Sequence, residues 1–253
     1  MLRLFEIPLF LPKGKRIHPS MGSVFHGALM EHLPSELAEA LHRESLRPYS
    51  QCVFFDRETG PVWRLGTMSD RIAQALLFGL EGGGSIFLRQ KGYEVHLGEI
   101  RFVQECSFED LADMAFGAET VPCEAMVSFL SPTSFKREGR YLLFPEVRLI
   151  LQSLLMRWNA FCPDIRIEDE GLLETLISHT AMTRYQLQSS VFALERQRIT
   201  GFQGHVSLRF GGTDAMRRIL VLLTMFAPFS GIGIKTALGM GAVQTSFFES
   251  GRE

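Results

Sequence analysis

The hydrophobic positions of this chain change their period several times, and each change marks an element. The opening LRLFEIPLFL is apolar and extended, is bounded by Pro12 and Gly14, and reads as a strand. From Met21 to Leu33 the apolar residues Val24, Phe25, Ala28, Leu29 and Leu33 recur at helical spacing, with Ser20 placed to cap the run. Pro34 breaks this helix, and Ser35 is placed to cap a second, short one through Leu37, Ala38 and Leu41 to His42 or Arg43. Two strands flank a turn at Glu58, Thr59 and Gly60. A helix from Ser69 to Leu80 then carries Ile72, Ala73, Leu76, Leu77 and Leu80 on one face and ends at Gly82, Gly83 and Gly84. Residues 85–106 read as extended. Strand, helix, strand, strand, helix, strand is the order of the ferredoxin-like unit.

The second half repeats that order. A strand at 123–130 leads to a helix from Pro145 to Phe161, two alternating strands cover 182–209, a helix runs from Thr213 to Phe226, and a last strand begins near Gly241. The expected fold class is α+β: two tandem ferredoxin-like (βαββαβ) domains with a central cleft and a C-terminal glycine-rich loop. The expected division is 1–120 and 121–253, with residues 107–122 as the connector. A length of 253 residues accommodates two domains of ordinary size, and clefts between domains are common ligand sites.

Composition adds limits. With 46% hydrophobic and 21% charged residues the chain is expected to fold throughout. The apolar run from Ile219 to Phe229 is interrupted by Thr224 and Pro228 and is too short for a bilayer. The N-terminal segment does not read as a signal peptide, so no membrane association and a cytoplasmic location are expected. Cys52, Cys106, Cys123 and Cys162 form no CxxC pair and have no histidine at ligand spacing. They are expected to be buried and reduced, with no metal and no cofactor. The formal charge of −2 excludes a protein coated for nucleic acid, yet residues 181–241 hold seven basic and two acidic side chains. That is enough for a short RNA segment.

The densest signal is SGIGIKTALGMGAV, with Gly231, Gly233, Gly239 and Gly241 within fourteen residues. Glycines allow positive φ and close backbone approach, so N–H groups can converge on a phosphate, and Lys235 adds charge beside Thr236. A nucleotide-binding P-loop is the rival reading, but Ile234 separates Gly233 from Lys235 and the loop follows a helix and precedes a strand, the inverse context. A glycine-rich connector without ligand is the other alternative.

This loop resembles the C-terminal signature of the CRISPR precursor-RNA (repeat) processing endoribonucleases of the repeat-associated mysterious protein superfamily. The resemblance continues through LHRESLRPYSQC, FLSPTSF at 129–135, FPEVRLILQSLLMRWNAF and ITGFQGHVSLRF at 199–210. It implies two ferredoxin-like domains and metal-independent cleavage of CRISPR repeat RNA, often at the base of a hairpin, to give guide RNAs. In that chemistry a ribose 2′-OH attacks the adjacent phosphate and leaves a 2′,3′-cyclic phosphate and a 5′-OH. The superfamily also supplies non-catalytic RNA-binding subunits of effector ribonucleoproteins, which is the alternative function. Association with other effector subunits or with a second copy is compatible with either.

The resemblance places His42, in the LHR segment, as the catalytic base, and a helix C-terminus favours the imidazolium it would become. A helix-terminal histidine acting only as a cap is the alternative. His26, before Gly27, is the candidate acid or positioning group, against a hydrogen-bonded core histidine. Arg47 stands near the place of a phosphate-steadying basic residue, with Arg43 and Tyr49 nearby, and an arginine stabilises charge without acting as a base. His32 reads as structural, and His18, His96, His179 and His205 match no catalytic position. For RNA binding the candidates are Gly231, Gly233, Lys235, Thr236, Gly239 and Gly241 in the loop, with Arg184, Arg196 and Arg198 on the preceding strands.

Overall fold

Alternation in the first strand decides how the two units meet. The computed structural model describes residues 1–80, 84–194 and 197–248. In it β1 (Leu2–Phe10) contributes Phe5, Ile7 and Leu9 to one hydrophobic core and Leu2 and Leu4 to another. A strand buried on both faces needs apolar residues at odd and even positions, as LRLFEIPLF provides.

In the N-terminal unit β1 lies between β3 (Gly60–Thr67) and β6 (Arg101–Cys106), with β2 (Tyr49–Asp56) beyond β3, the strand arrangement of a ferredoxin-like sheet. The extended run from residue 85 resolves into β6 and a hairpin, β4 (Ser85–Leu88) and β5 (Tyr93–Leu97), which pairs with Leu9 and Phe10 at the end of β1. The turn between β2 and β3 is fixed by the Asp56 carboxylate, which accepts from the N–H groups of Glu58 and Thr59 at 3.0 and 2.8 Å. Helices α1 (Gly22–His32), α2 (Ser35–Arg43) and α3 (Asp70–Leu80) supply Phe25, Leu29, Leu41, Ile72 and Leu76 to a core with Phe5, Ile7 and Trp63. Each fully buried side chain of this size contributes about 1.5–3 kcal/mol.

The start of α1 differs from expectation. Pro19–Met21 form a 3-10 turn capped by His18 Nδ1, so Ser20 is not the helix cap. Its hydroxyl instead accepts from Ala193 N–H at 3.2 Å and donates to Val191 O at 3.4 Å. Nor does the Ser35 side chain cap α2, whose N-cap is Pro34.

The C-terminal sheet runs β10 (Thr180–Ala193), β11 (Arg198–Phe210), β7 (Glu124–Thr133), β12 (Val243–Phe248), again a ferredoxin-like order. Helices α5 (Val147–Phe161) and α7 (Asp214–Ser230) pack on it, and a short hairpin, β8 (Phe135–Arg137) and β9 (Arg140–Leu142), and α6 (Leu172–Ser178) are added. The expected connector holds a helix, α4 (Phe108–Gly117), started by a capping box between Ser107 and Asp110. Phe108, Leu111 and Ala115 of α4 join Trp158 and Phe226 in a core that also takes Leu2, Leu4 and Met68. The two units therefore share buried surface.

Helix α7 passes Pro228 and ends at Ser230, beyond the expected Phe226. Ser50 of β2 donates its hydroxyl hydrogen to Phe229 O at 2.8 Å, and a Cβ on Gly66 of β3 would stand 2.3 Å from that oxygen. One unit thus caps the last turn of the other's helix. Among the described residues no helix is long and apolar enough to cross a membrane.

Candidate active site and glycine-rich loop

Helices α1 and α2 and strand β2 bring the two candidate histidines together. The rings of His26 and His42 have centroids 6.5 Å apart. His42, exposed in the last turn of α2, has Nδ1 3.1 Å from Ala38 O. A carbonyl only accepts, so Nδ1 carries the proton and the Nε2 lone pair is left to accept one. The same contact in His32, Nδ1 to Ala28 O at 2.8 Å, ties that ring to its own helix.

His26 is 8% exposed, and its Nδ1 lies 2.9 Å from the Tyr49 hydroxyl. Burial, reinforced by the charges of Arg47 and His42, lowers its pKa from 6.5 to about 4. The ring is therefore neutral near pH 7. Burial raises the pKa of Tyr49, so its hydroxyl keeps its proton and pairs with Nδ1, as donor or acceptor according to the tautomer of the neutral imidazole. Arg47 donates from Nε to Leu41 O at 2.7 Å, which fixes its guanidinium at the end of α2. Beside His42 an open groove of about 650 Å³ is lined by Met30, Glu31, Ala38 and Arg43.

The glycine-rich loop is placed otherwise than its composition suggests. Gly231, Gly233, Thr236, Gly239 and Gly241 are buried, and Lys235 is half-buried. Gly233 has φ +87° and a Cβ there would lie 2.5 Å from Ser134 O, while one on Gly241 (φ +68°) would lie 2.0 Å from Ile232 O. Both positions thus need glycine for protein packing. The N–H groups of Gly231, Gly233, Gly239 and Gly241 are taken up by Ala227 O, Ser153 Oγ, Thr236 O and Pro132 O. Those of Lys235, Thr236 and Ala237 have no protein partner among the described residues.

Two residues of α5 that sequence reasoning misses hold this loop. Ser153 accepts from Gly233 N–H at 2.9 Å, and Arg157, 4% exposed, donates from Nη2 to Gly233 O at 3.1 Å. Their i, i+4 spacing within an otherwise apolar helix face is the available signal. From the N-terminal unit, Gln51 donates to Gly22 O at 2.7 Å and to Ala237 O at 3.1 Å, and accepts from Trp63 Nε1 at 2.9 Å. A Cβ on Gly22 would lie 2.7 Å from Gly239 Cα. The loop is thereby wedged between α1, β2 and α5.

The basic residues divide in use. Arg217 and Arg218 pair with Asp214, and Arg218 also donates to Ala115 O, Phe116 O and Ala118 O at the end of α4, so neither is a free contact for RNA. Arg184 on β10 and Arg198 on β11 are exposed. Arg196 lies outside the described residues. Cys52, Cys106 and Cys162 are free and buried, whereas Cys123 is only half-buried. No group of three or more His, Cys, Asp or Glu side chains suited to a metal occurs among the described residues.

Residues 127–243 match the profile of the family described as CRISPR-associated endoribonuclease Cas6. A CRISPR-associated endoribonuclease Cas6 of Streptococcus thermophilus is 30% identical over 233 residues, covering 91% of this chain and 94% of that protein. One from Mycobacterium tuberculosis is 29% identical over 227 residues, 89% of this chain and 71% of its own length. In fold the chain is similar to a Cas6 product complex with a TM-score of 0.81 at 24% identity, covering 97% of this chain and all of that one. Thermus thermophilus Cas6 gives a TM-score of 0.74 at 24% identity over 97% of this chain and 98% of that chain. Sequence likeness that runs through both units and the loop wedged between them has one reading: the chain belongs to the CRISPR-associated endoribonuclease Cas6 family.

Proposed function

We propose that this protein cuts CRISPR repeat RNA at one position in precursor transcripts, by attack of a ribose 2′-OH on the adjacent phosphate. His42 Nε2 takes the proton from the 2′-OH, the 2′-oxygen bonds to phosphorus, and the P–O5′ bond breaks as the departing oxygen takes a proton from water. The products are a 2′,3′-cyclic phosphate and a 5′-OH. Arg47, held on Leu41 O, offers its remaining guanidinium donors to the charge that develops on the phosphorane. His26 is neutral, so its role is that of a positioning hydrogen-bond partner and not of an imidazolium acid. Side chains supply the proton transfer, and the scheme needs no metal. Lys235, beside the N–H groups of Thr236 and Ala237 that have no protein partner among the described residues, is the backbone-phosphate contact in the loop, with Arg184 of β10 and Arg198 of β11, and Arg196 between those strands in sequence.

The observation that carries this reading is the His42 Nδ1 contact with Ala38 O, which leaves Nε2 as the acceptor beside Arg47 and His26. Repeat RNA from its own array should be cut once in EDTA, and not when the nucleotide before the cut is 2′-deoxy. His42→Ala should slow single-turnover cleavage by about 10²–10⁴ with little change in RNA affinity. Cutting of the deoxy substrate would overturn the mechanism, and a loss under about threefold would remove His42 as the base.

A further inference from the structure

A second concave surface lies at the other end of α1 from the histidine groove. It is a recess of about 750 Å³ walled by Lys15, Arg16 and His18 of the loop after β1, by Lys91 and Tyr93 of the β4–β5 hairpin, and by Leu194 at the tip of the β10–β11 hairpin. Among the described residues no acidic side chain lines it, and the sequence has none between Glu6 and Glu31. Lys15, Arg16 and Lys91 are exposed and form no ion pair among the described residues. Three like charges around one hollow repel one another, and an anion relieves that repulsion.

The recess is also built. Lys15 Nζ sits 5.3 Å from the centre of the Tyr93 ring, which fixes its stem. The tip of β10 is tied to the start of α1 by the two hydrogen bonds of Ser20, so both units contribute walls. Ser23 and Val24 at the beginning of α1 line it, and Met30 and Glu31 at the end of that helix line the groove beside His42. At 1.5 Å per residue, Ser23 and Met30 are about 10 Å apart along the axis, with His26 between them. A strand laid on this helix therefore meets the recess, then the histidines, then the groove.

We infer that this recess binds backbone phosphates of the same RNA strand a few nucleotides from the scissile phosphate, a contact separate from the glycine-rich loop. The inference rests on the proposed cleavage of repeat RNA. Its basic side chains suit the phosphates of a sugar–phosphate chain, and Tyr93, Val24 and Leu194 beside them offer apolar surface to its sugars and bases.

The test compares Lys15→Ala/Arg16→Ala/Lys91→Ala with a control of similar charge loss away from the recess, Arg57→Ala/Arg71→Ala, both exposed. Affinity for a non-cleavable 2′-deoxy repeat RNA is measured at several salt concentrations. The recess variant should bind more weakly than the control, and its slope of log K against log salt should flatten by about 0.7 for each phosphate that is no longer neutralised, about two units for three. Lys91→Ala alone should show about a third of that change, which guards against a folding defect in the triple variant. If the recess variants match the wild type or the control in affinity and slope, the recess is not an RNA site, and an acidic protein surface becomes the better occupant. If the wild type neither binds nor cuts repeat RNA, the functional reading fails first and this inference falls with it.

Discussion

Replacing His26 by Asn removes a titrating ring while keeping a hydrogen-bond partner for the Tyr49 hydroxyl. In the folded protein the His26 pKa is lowered to about 4, against an ordinary 6.5, because the imidazolium would be buried near Arg47 and His42. The unfolded chain therefore binds a proton between these values that the folded chain does not, so stability falls as the pH drops through that window. Above pH 6.5 the contribution is complete, and below about 4 no more is lost. At about 1.4 kcal/mol per pH unit, the gap corresponds to about 3 kcal/mol. Urea unfolding of wild type and His26→Asn, measured from pH 7.5 to pH 4, isolates this group because the carboxylates are common to both. The wild type should lose about 3 kcal/mol more than the variant over that interval. Parallel curves, within about 0.5 kcal/mol, would mean that His26 titrates as a solvated group, and the neutral ring assigned to the active site would be wrong.

Lys235→Ala removes the phosphate contact proposed for the loop without altering its packed glycines, so on that proposal RNA affinity should fall and the salt slope should flatten by about 0.7–0.9 in a binding titration. An unchanged slope would take Lys235 out of the interface. Gly22→Val places a side chain against the backbone of Gly239 and Leu238 and should cost about 1–3 kcal/mol, read as a melting temperature several degrees lower. A melting curve like the wild type's would show that the contact between α1 and the loop yields easily.

The order of elements is legible because the hydrophobic period switches cleanly between 2 and 3.6, as in β1, α1 and α3. The additions are not. Hairpin β8–β9 has strands of three residues each, too short for a period to register. Helix α4 carries its own signal, Ser107 followed three residues later by Asp110, but its place between the two repeats makes it look like connector. The pairing of His26 with His42 is accessible only through the family resemblance, since α1 and α2 follow one another across Leu33 and Pro34 but the angle between them, which brings the two rings together, is set by tertiary packing. The glycines mislead for a physical reason: a backbone that approaches a phosphate and one that approaches Ser134 O or Gly22 Cα make the same demand for a missing Cβ. Charge counting points to residues 181–241, but Asp214 and the end of α4 absorb Arg217 and Arg218, whereas the free cations Lys15, Arg16 and Lys91 lie in a half whose net charge is negative.

The hydrogen bonds that Ser50, Gln51 and Ser20 make across the units also limit how the molecule can move. Swinging the units apart would strand Phe229 O, Ala237 O and Ala193 N–H without partners. Each of these hydrogen bonds contributes about 0.5–1.5 kcal/mol, and parting the units would also expose Leu2, Leu4 and Met68, at about 1.5–3 kcal/mol for each large buried side chain. The protein then behaves as a fixed mould and not as a pair of closing jaws, and the cost of conformational ordering falls on the RNA. Discrimination among repeats would be decided in part before contact, by how much of each transcript already holds the shape that the mould accepts.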